Sequence, residues 1–371
     1  MIFTQQDGEF MARALQLAAQ GLYSTQPNPR VGCVLVKEGQ IIGEGWHQRA
    51  GGPHAEVHAL QQAGVNAKGA TAYVTLEPCC HQGRTPPCSL ALVEAGVKRV
   101  VAAMSDPNPE VAGKGMQQLS DQGIDTNTGL MQAEAEALNP GFISRMSRGR
   151  PWVTCKMAMS LDGRTAMASG ESKWITGAEA RHQVHLLRAR SSAIITGIGT
   201  VLADDPSLNV RLDDKMPEGG WINPVRVVLD PNLSLPVGAK LLQQAGRTMV
   251  VTATKDTERE AELQAAGAEV IYLPAPGGRI DLGELMIHLA NEEMNEVLLE
   301  TGATLSGAML NAGLIDELKI YMAAHVMGDN ARGLFNLPDL EQMDQRIDLN
   351  ITDIRAVGKD WCISANIKVK G

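Results

Sequence analysis

Two short stretches of the chain hold residue types that could carry out metal-assisted hydrolysis if folding brings them together. One is Pro53-His54-Ala55-Glu56. The other runs Glu77-Pro78-Cys79-Cys80-His81-Gln82-Gly83-Arg84-Thr85-Pro86-Pro87-Cys88. His54, Cys79 and Cys88 would give a zinc ion one imidazole nitrogen and two thiolates. The fourth tetrahedral corner stays open for water, the mark of a catalytic rather than a closed structural zinc. The metal lowers the pKa of that water, so hydroxide exists near neutral pH. Glu56 lies close to the first ligand without being one. It would take the water's proton and pass it to a ring nitrogen, then to departing ammonia. His-x-Glu followed by Pro-Cys and a later Cys is the pattern of hydrolytic deamination of a nucleobase ring.

The compact form of that pattern is Pro-Cys-x-x-Cys, whereas eight residues separate Cys79 from Cys88. Cys80 and His81 are nearer and compete as ligands. Cys88 is preferred, because Pro87-Cys88 suits the start of a helix after the Gly83–Pro87 loop. Adjacent Cys79 and Cys80 cannot easily bind one tetrahedral metal together. A closed knot with His81 as fourth ligand is the alternative, and it would leave Glu56 without a task.

Elements must position these residues. Thr4-Gln5-Gln6-Asp7 reads as a capping box opening a helix whose apolar face includes Met11, Ala14, Leu15 and Ala18. Val31–Val36 and Ile41–Trp46 read as a hairpin. A helix over His54–Gln62 puts His54 and Glu56 in its first turn. Strands over Ala70–Leu76 and Lys98–Ala103 flank a helix over Cys88–Ala95, which implies parallel pairing after an antiparallel start. Both ligand-bearing helix starts then fall along one edge of the sheet. Asn28, with its backbone fixed by Pro29, could hydrogen-bond a heterocycle edge, or be a turn residue. His47 follows the second strand, near the metal site. Lys114, between Gly113 and Gly115, could contact a phosphate or sit in a solvated loop.

The polar, glycine- and arginine-containing stretch Ser144–Pro151 reads as an irregular connector. It divides the chain into residues 1–147 and 151–371. Beyond it, strands over Trp152–Met157, Ala193–Thr196, Val225–Leu229, Thr248–Thr252, Glu269–Leu273, Glu296–Glu300, Glu317–Ala323, Ile351–Val357 and Cys362–Val369 make a mostly parallel sheet with an antiparallel finish. A helix over Ala178–Arg190 is capped by Thr176, and Leu212–Asn223 reads as a surface insertion. Two strands run into glycine-rich turns, Gly197-Ile198-Gly199-Thr200 and Gly302 to Gly307, which can present backbone amides to a phosphate. Lys156, Ser172, Arg188, Asp204, Asp205, Arg211 and Glu300 gather near the same strand ends. Arg188 and Arg211 could grip a substrate phosphate.

With 371 residues, the chain is expected to form two domains. A net charge of −9 and 4% aromatic residues argue against a nucleic-acid surface, and so against a nucleic-acid-editing deaminase, the rival that shares the zinc chemistry. Six cysteines, three of them crowding the metal stretch, argue against a disulfide framework. With neither a signal-peptide pattern over Met1–Phe10 nor an 18-residue apolar run, a cytoplasmic location and no membrane partner are expected.

The whole sequence resembles the bifunctional deaminase/reductase family of riboflavin biosynthesis. The resemblance rests on Asn28–Gly32, His54–Ala59, Glu77–His81 with Thr85–Cys88, Ser160–Ala166, Ser169–Thr176 and Thr200–Pro206. It implies a cytidine-deaminase-like α/β/α sandwich followed by a dihydrofolate-reductase-like domain. The first would remove the 2-amino group of 2,5-diamino-6-(5-phosphoribosylamino)pyrimidin-4(3H)-one. The second would use NADPH to reduce the product's ribosyl group to ribityl. The long gap between the cysteines is this family's spacing, and Cys80 stands where the family often has Ser. By matching positions, the resemblance implies that Ala158, Trp174, Thr200, Asp204 and the run Gly302, Ala303, Thr304, Leu305, Ser306, Gly307, Ala308 contact the dinucleotide. It likewise gives Ser172, Arg188, Leu208, Arg211 and Glu300 to the substrate, with Lys156 near the ribose. It also implies a homodimer or homotetramer formed through the reductase half.

Overall fold

The computed structural model describes residues 3–80, 86–109, 111–212 and 220–368. The chain divides into two compact units, Met1–Arg150 and Pro151–Gly371.

In the first unit, α1 (Gln5–Ala19) opens with the expected capping box: the Thr4 hydroxyl accepts from the Asp7 N–H, and the Asp7 carboxylate accepts from the Thr4 N–H. Then come β1 (Gly32–Lys37), β2 (Gln40–Trp46), α2 (Ala55–Ala63), β3 (Thr71–Val74), α3 (Cys88–Glu94), β4 (Arg99–Ala102), α4 (Lys114–Asp121), β5 (Asp125–Thr128), α5 (Gln132–Leu138) and α6 (Pro140–Arg148). The sheet order is β2-β1-β3-β4-β5. β1 pairs antiparallel with β2 and β3, while β3, β4 and β5 run parallel.

Because side chains alternate along a strand, β1 buries residues on both faces. Cys33 and Leu35 join Ala55, Ala59, Leu92 and Leu119 on one side; Val34 and Val36 join Met11, Ala14, Ala135 and Phe142 on the other. The result is an α/β/α sandwich. Gly45 lets α2 lie close on β2, since a Cβ there would come within 2.3 Å of the Ala55 carbonyl oxygen.

The second unit contains β6 (Trp152–Ser160), β7 (Arg164–Ala166), α7 (Ala178–Arg190), β8 (Ala193–Gly197), α8 (Ile198–Asp204), β9 (Val225–Leu229), β10 (Thr248–Thr252), α9 (Thr257–Ala265), β11 (Glu269–Tyr272), a small β12–β13 hairpin (Pro274–Ala275 and Arg279–Ile280), α10 (Leu282–Asn291), β14 (Glu296–Leu299), α11 (Ala303–Asn311), β15 (Glu317–Ala323), β16 (Arg332–Gly333), β17 (Leu349–Val357) and β18 (Asp360–Ile367). Nine strands form one sheet in the order β11-β10-β9-β8-β14-β6-β15-β18-β17. Its pairs are parallel except where β18 meets β15 and β17. After β8 the chain moves outward to β11, then returns to insert β14 between β8 and β6. The order reverses there, and α/β sheets place their ligand crevices at such a reversal.

Two expectations are corrected. Ser144–Pro151 is mostly helical: Pro140 occupies the first turn of α6, and Gly149 at φ 66° ends it. Thr176 does not cap α7. Gly177 is the N-cap, its N–H donating to Asp360, while the Thr176 carbonyl accepts from Arg181. β5, Asp-Thr-Asn-Thr, lacks the apolar alternation that would have revealed it. His81 and most of the Leu212–Asn223 insertion lie outside the described residues. Among the described residues no helix is long and apolar enough to cross a membrane.

Candidate active sites

In the first unit, His54 is the N-cap of α2, which puts Glu56 in the first turn. Cys79 follows β3, and Cys88 opens α3. One ligand atom from each of His54, Cys79 and Cys88 lies within 4.8 Å of the others. His54 Nδ1 is 3.1 Å from Cys88 Sγ and 3.6 Å from Cys79 Sγ. A tetrahedral zinc would separate such donors by about 3.5–3.8 Å, from bonds of about 2.0 Å to nitrogen and 2.3 Å to sulfur. The donor set fits a zinc ion, with the His54–Cys79 separation in that range and the His54–Cys88 separation shorter. Cys80 does not belong to the cluster.

Hydrogen bonding to Cys88 and His54 draws the Cys79 thiol well below its usual range, against the opposing effect of burial. The hydrogen bond with Cys79 and then burial raise the Cys88 thiol. Glu56 is only 3% exposed. Burial first, then the Cys79 charge, push its carboxyl up to about 6.

His47 links the two other predicted residues. Its Nδ1 is 3.0 Å from the Pro53 carbonyl, which can only accept, so Nδ1 carries the proton. Nε2, 3.0 Å from Asn28 Nδ2, then accepts. His47 is thus neutral, in keeping with the burial that lowers its pKa, and Asn28 has its Oδ1 to offer as an acceptor. The His47 ring meets His54 edge-on at 5.4 Å. The amides around Lys114 do not await a phosphate: those of Gly113, Gly115 and Met116 already donate to Glu77.

In the second unit, the register pairs Leu299 of β14 with Cys155 of β6, so Glu300 falls beside Lys156. Lys156 Nζ lies 4.0 Å from Glu300 Oε2. Burial lowers the Lys156 pKa against the pull of Glu300. Burial would raise Glu300, but Arg188 and Lys156 outweigh it and hold that carboxyl at about 2. Arg188 also donates to the Asn209 carbonyl at 3.1 Å, and the Arg211 N–H donates to His185 Nδ1 at 3.2 Å. The Leu208–Arg211 segment is thereby fastened to α7. Arg188 is occupied by Glu300 and Asn209, whereas Arg211 is exposed. The phosphate role foreseen for both arginines fits Arg211 better.

Trp174 is 72% exposed, with the Arg181 guanidinium 4.7 Å from its ring centroid. Lys173 pairs with Asp204 at 2.9 Å. Ala158 and Ser172 are half-buried, and Thr200 lies in α8. α11 starts at Gly302 with no side-chain cap, so its first amides are disposed toward an anion such as a dinucleotide pyrophosphate. Within Gly302–Ala308, Gly302, Thr304 and Ala308 are exposed. Ser306 and Gly307 are buried in the protein, Ser306 beside Cys155, and serve packing. The sequence reading missed Glu77 and His185. An acid two residues before a ligand, and a histidine three before Arg188 on one helix, were the available signals.

The model described as "RibD C-terminal domain" matches residues 151–363, and that described as "Cytidine and deoxycytidylate deaminase zinc-binding region" matches residues 4–104. The riboflavin biosynthesis protein RibD of Escherichia coli (strain K12) is 51% identical over 365 residues, spanning 96% of this chain and 98% of that protein. That of Haemophilus influenzae is 51% identical over 367 residues, spanning 96% of each. Among solved structures, Acinetobacter baumannii RibD (form 2) superposes with a TM-score of 0.91 at 47% identity, covering 98% of this chain and 99% of that one. The Thermotoga maritima diaminohydroxyphosphoribosylaminopyrimidine deaminase/5-amino-6-(5-phosphoribosylamino)uracil reductase superposes with a TM-score of 0.86 at 32% identity, covering 98% and 99%.

Proposed function

This chain belongs to the RibD family, the bifunctional deaminases/reductases of riboflavin biosynthesis, and from that premise we propose how its residues divide the work. The first unit deaminates the 2-amino group of 2,5-diamino-6-(5-phosphoribosylamino)pyrimidin-4(3H)-one. The second reduces the ribosyl group of the product to ribityl, with NADPH as reductant. The observation that carries the reading is the meeting of one imidazole and two sulfurs beside an uncoordinated buried acid.

His54, Cys79 and Cys88 would hold zinc, which supplies a Lewis acid that acidifies water. Glu56 accepts the proton of the attacking water. The attacked carbon lies between two ring nitrogens, so attack builds negative charge on nitrogen; Glu56 delivers the water's first proton there, then takes the remaining hydroxyl proton as the carbonyl forms and passes it to the amino group, which leaves as ammonia. Asn28 Oδ1 accepts an N–H of the pyrimidine, its amide oriented by His47. In the second unit, Arg211 binds the substrate phosphate. Lys156, steadied by Glu300, stands where the developing alkoxide needs a proton. Trp174, Thr200, Asp204 and the start of α11 receive the dinucleotide, whose nicotinamide supplies hydride. We place the enzyme in the cytoplasm, as a homodimer or homotetramer joined through the reductase half.

The direct test is to incubate the purified protein with the diaminopyrimidine and NADPH, following ammonia and nicotinamide absorbance together. Ammonia release followed by NADPH consumption is expected. NADPH oxidation without ammonia release would refute the order of steps.

A further inference from the structure

We propose that Glu77 is a positioning residue of the deaminase site: its carboxylate is a built-in anion that clamps the turn bearing Cys79 onto the start of α4 and so keeps Cys79 where a metal can reach it. Glu77 is 3% exposed. Oε2 accepts from the backbone N–H groups of Asp106 at 3.1 Å and Gly113 at 2.9 Å; Oε1 accepts from those of Gly115 at 2.9 Å and Met116 at 3.2 Å. One side chain thus satisfies amides at the opening of α4, a helix with no side-chain cap of its own. Amides arranged in this way form a nest for an anion. Here the anion comes from the chain, more than thirty residues earlier in sequence.

The clamp acts on Cys79 through two residues of backbone. The Glu77 N–H donates to the Met104 carbonyl at 3.0 Å. Pro78 has a fixed φ, and its carbonyl packs so closely on α4 that a Cβ on Gly115 would lie 2.0 Å from it. The Cys79 carbonyl in turn accepts from the Ser89 N–H at 3.2 Å, with the Ser89 hydroxyl 3.0 Å away and itself 2.7 Å from Gln118 of α4. Between Glu77 and Ser89, the Cys79 turn is tied to both α3 and α4. Groups that orient a ligand commonly set metal affinity as strongly as they set activity.

The inference rests on Cys79 being a zinc ligand, and the test separates the two. Zinc affinity of the full-length enzyme is measured by chelator competition for the wild type, Glu77→Gln, Glu77→Asp and Cys79→Ala, with reductase activity as a control on the same chain. Gln keeps the size but turns an N–H₂ toward two N–H donors. Glu77→Gln is expected to hold zinc about 10- to 100-fold more weakly, with reductase kcat/KM unchanged. Asp keeps the charge but is one methylene too short to span both pairs of amides, and is expected to fall between. Unchanged zinc affinity in Glu77→Gln overturns the proposal. Should that variant fail to fold, unchanged affinity in Glu77→Asp overturns it equally. Zinc binding undisturbed by Cys79→Ala would instead remove the ligand assignment itself.

Discussion

Arg188 grips Glu300 through both carboxylate oxygens, Nε to Oε1 at 2.6 Å and Nη2 to Oε2 at 2.9 Å, with both side chains about nine-tenths buried. Removing one partner of such a pair strands the other as a buried charge, at a cost of about 3–5 kcal/mol. Arg188→Ala is therefore expected to lower the denaturant midpoint of the second unit and abolish reduction while leaving ammonia release intact. Arg188→Lys should not restore reduction, because a lysine cannot form the two-pronged bond. Full reductase activity in Arg188→Lys would count against this geometry.

Glu56→Gln removes the proposed proton carrier but none of the three clustered donors, His54, Cys79 and Cys88. The variant is expected to retain zinc, measured by metal analysis, and to lose about 10²–10⁴-fold in deaminase kcat. Zinc loss accompanying the substitution would move Glu56 into the ligand set.

Stripping the metal with a chelator is expected to stop ammonia release, leave NADPH-dependent reduction of the deaminated substrate untouched, and be reversed by added zinc. Each unit has its own buried cluster. A fall in both activities together would contradict that independence.

Asp7 is expected to contribute to the acid stability of the first unit. Burial would raise its pKa, but hydrogen bonds from the Thr4 N–H, the Tyr73 hydroxyl, the Thr4 hydroxyl and Arg99 outweigh it and lower the carboxyl from 3.8 to about 2. The folded state therefore binds that proton less readily than the unfolded chain. The stability so gained is complete above about pH 4 and disappears as pH falls through about 2. A gap of this size corresponds to roughly 2 kcal/mol. Asp7→Asn should flatten this limb of the stability–pH curve, read by denaturant unfolding. An unaltered acid limb would sink the assignment.

Arg211→Ala is expected to raise KM for the phosphorylated substrate far more than KM for NADPH. Equal increases would contradict the phosphate role.

Much of this arrangement was legible in the sequence. Val225–Leu229, Thr248–Thr252 and Glu317–Ala323 are strands to the residue: the first two are mostly buried runs, and the third mixes buried with half-buried positions. His54, Cys79 and Cys88 converge because β2 and β3 flank β1 and both run antiparallel to it, so the chain leaves both at one sheet edge. What stayed hidden depends on the backbone. Glu77 binds only main-chain amides in the contacts described above, and amides have no letter in a sequence. Ser306 and Gly307 look like part of a phosphate loop, but the helical repeat turns them inward. Ser144–Pro151 reads as irregular because its arginines, Gly149 and Pro151 are also linker residues, whereas Pro140 and Gly149 bound a helix.

Gly45 makes no hydrogen bond to any reacting group, yet it sets the clearance between sheet and helix on which His54 and Glu56 depend. A single added methyl group would jack the helix outward and drag the imidazole away from both sulfurs. Mutational drift at this position is thus limited by mechanical tolerance rather than by chemistry, and a deaminase could be silenced there with every reactive side chain still in place.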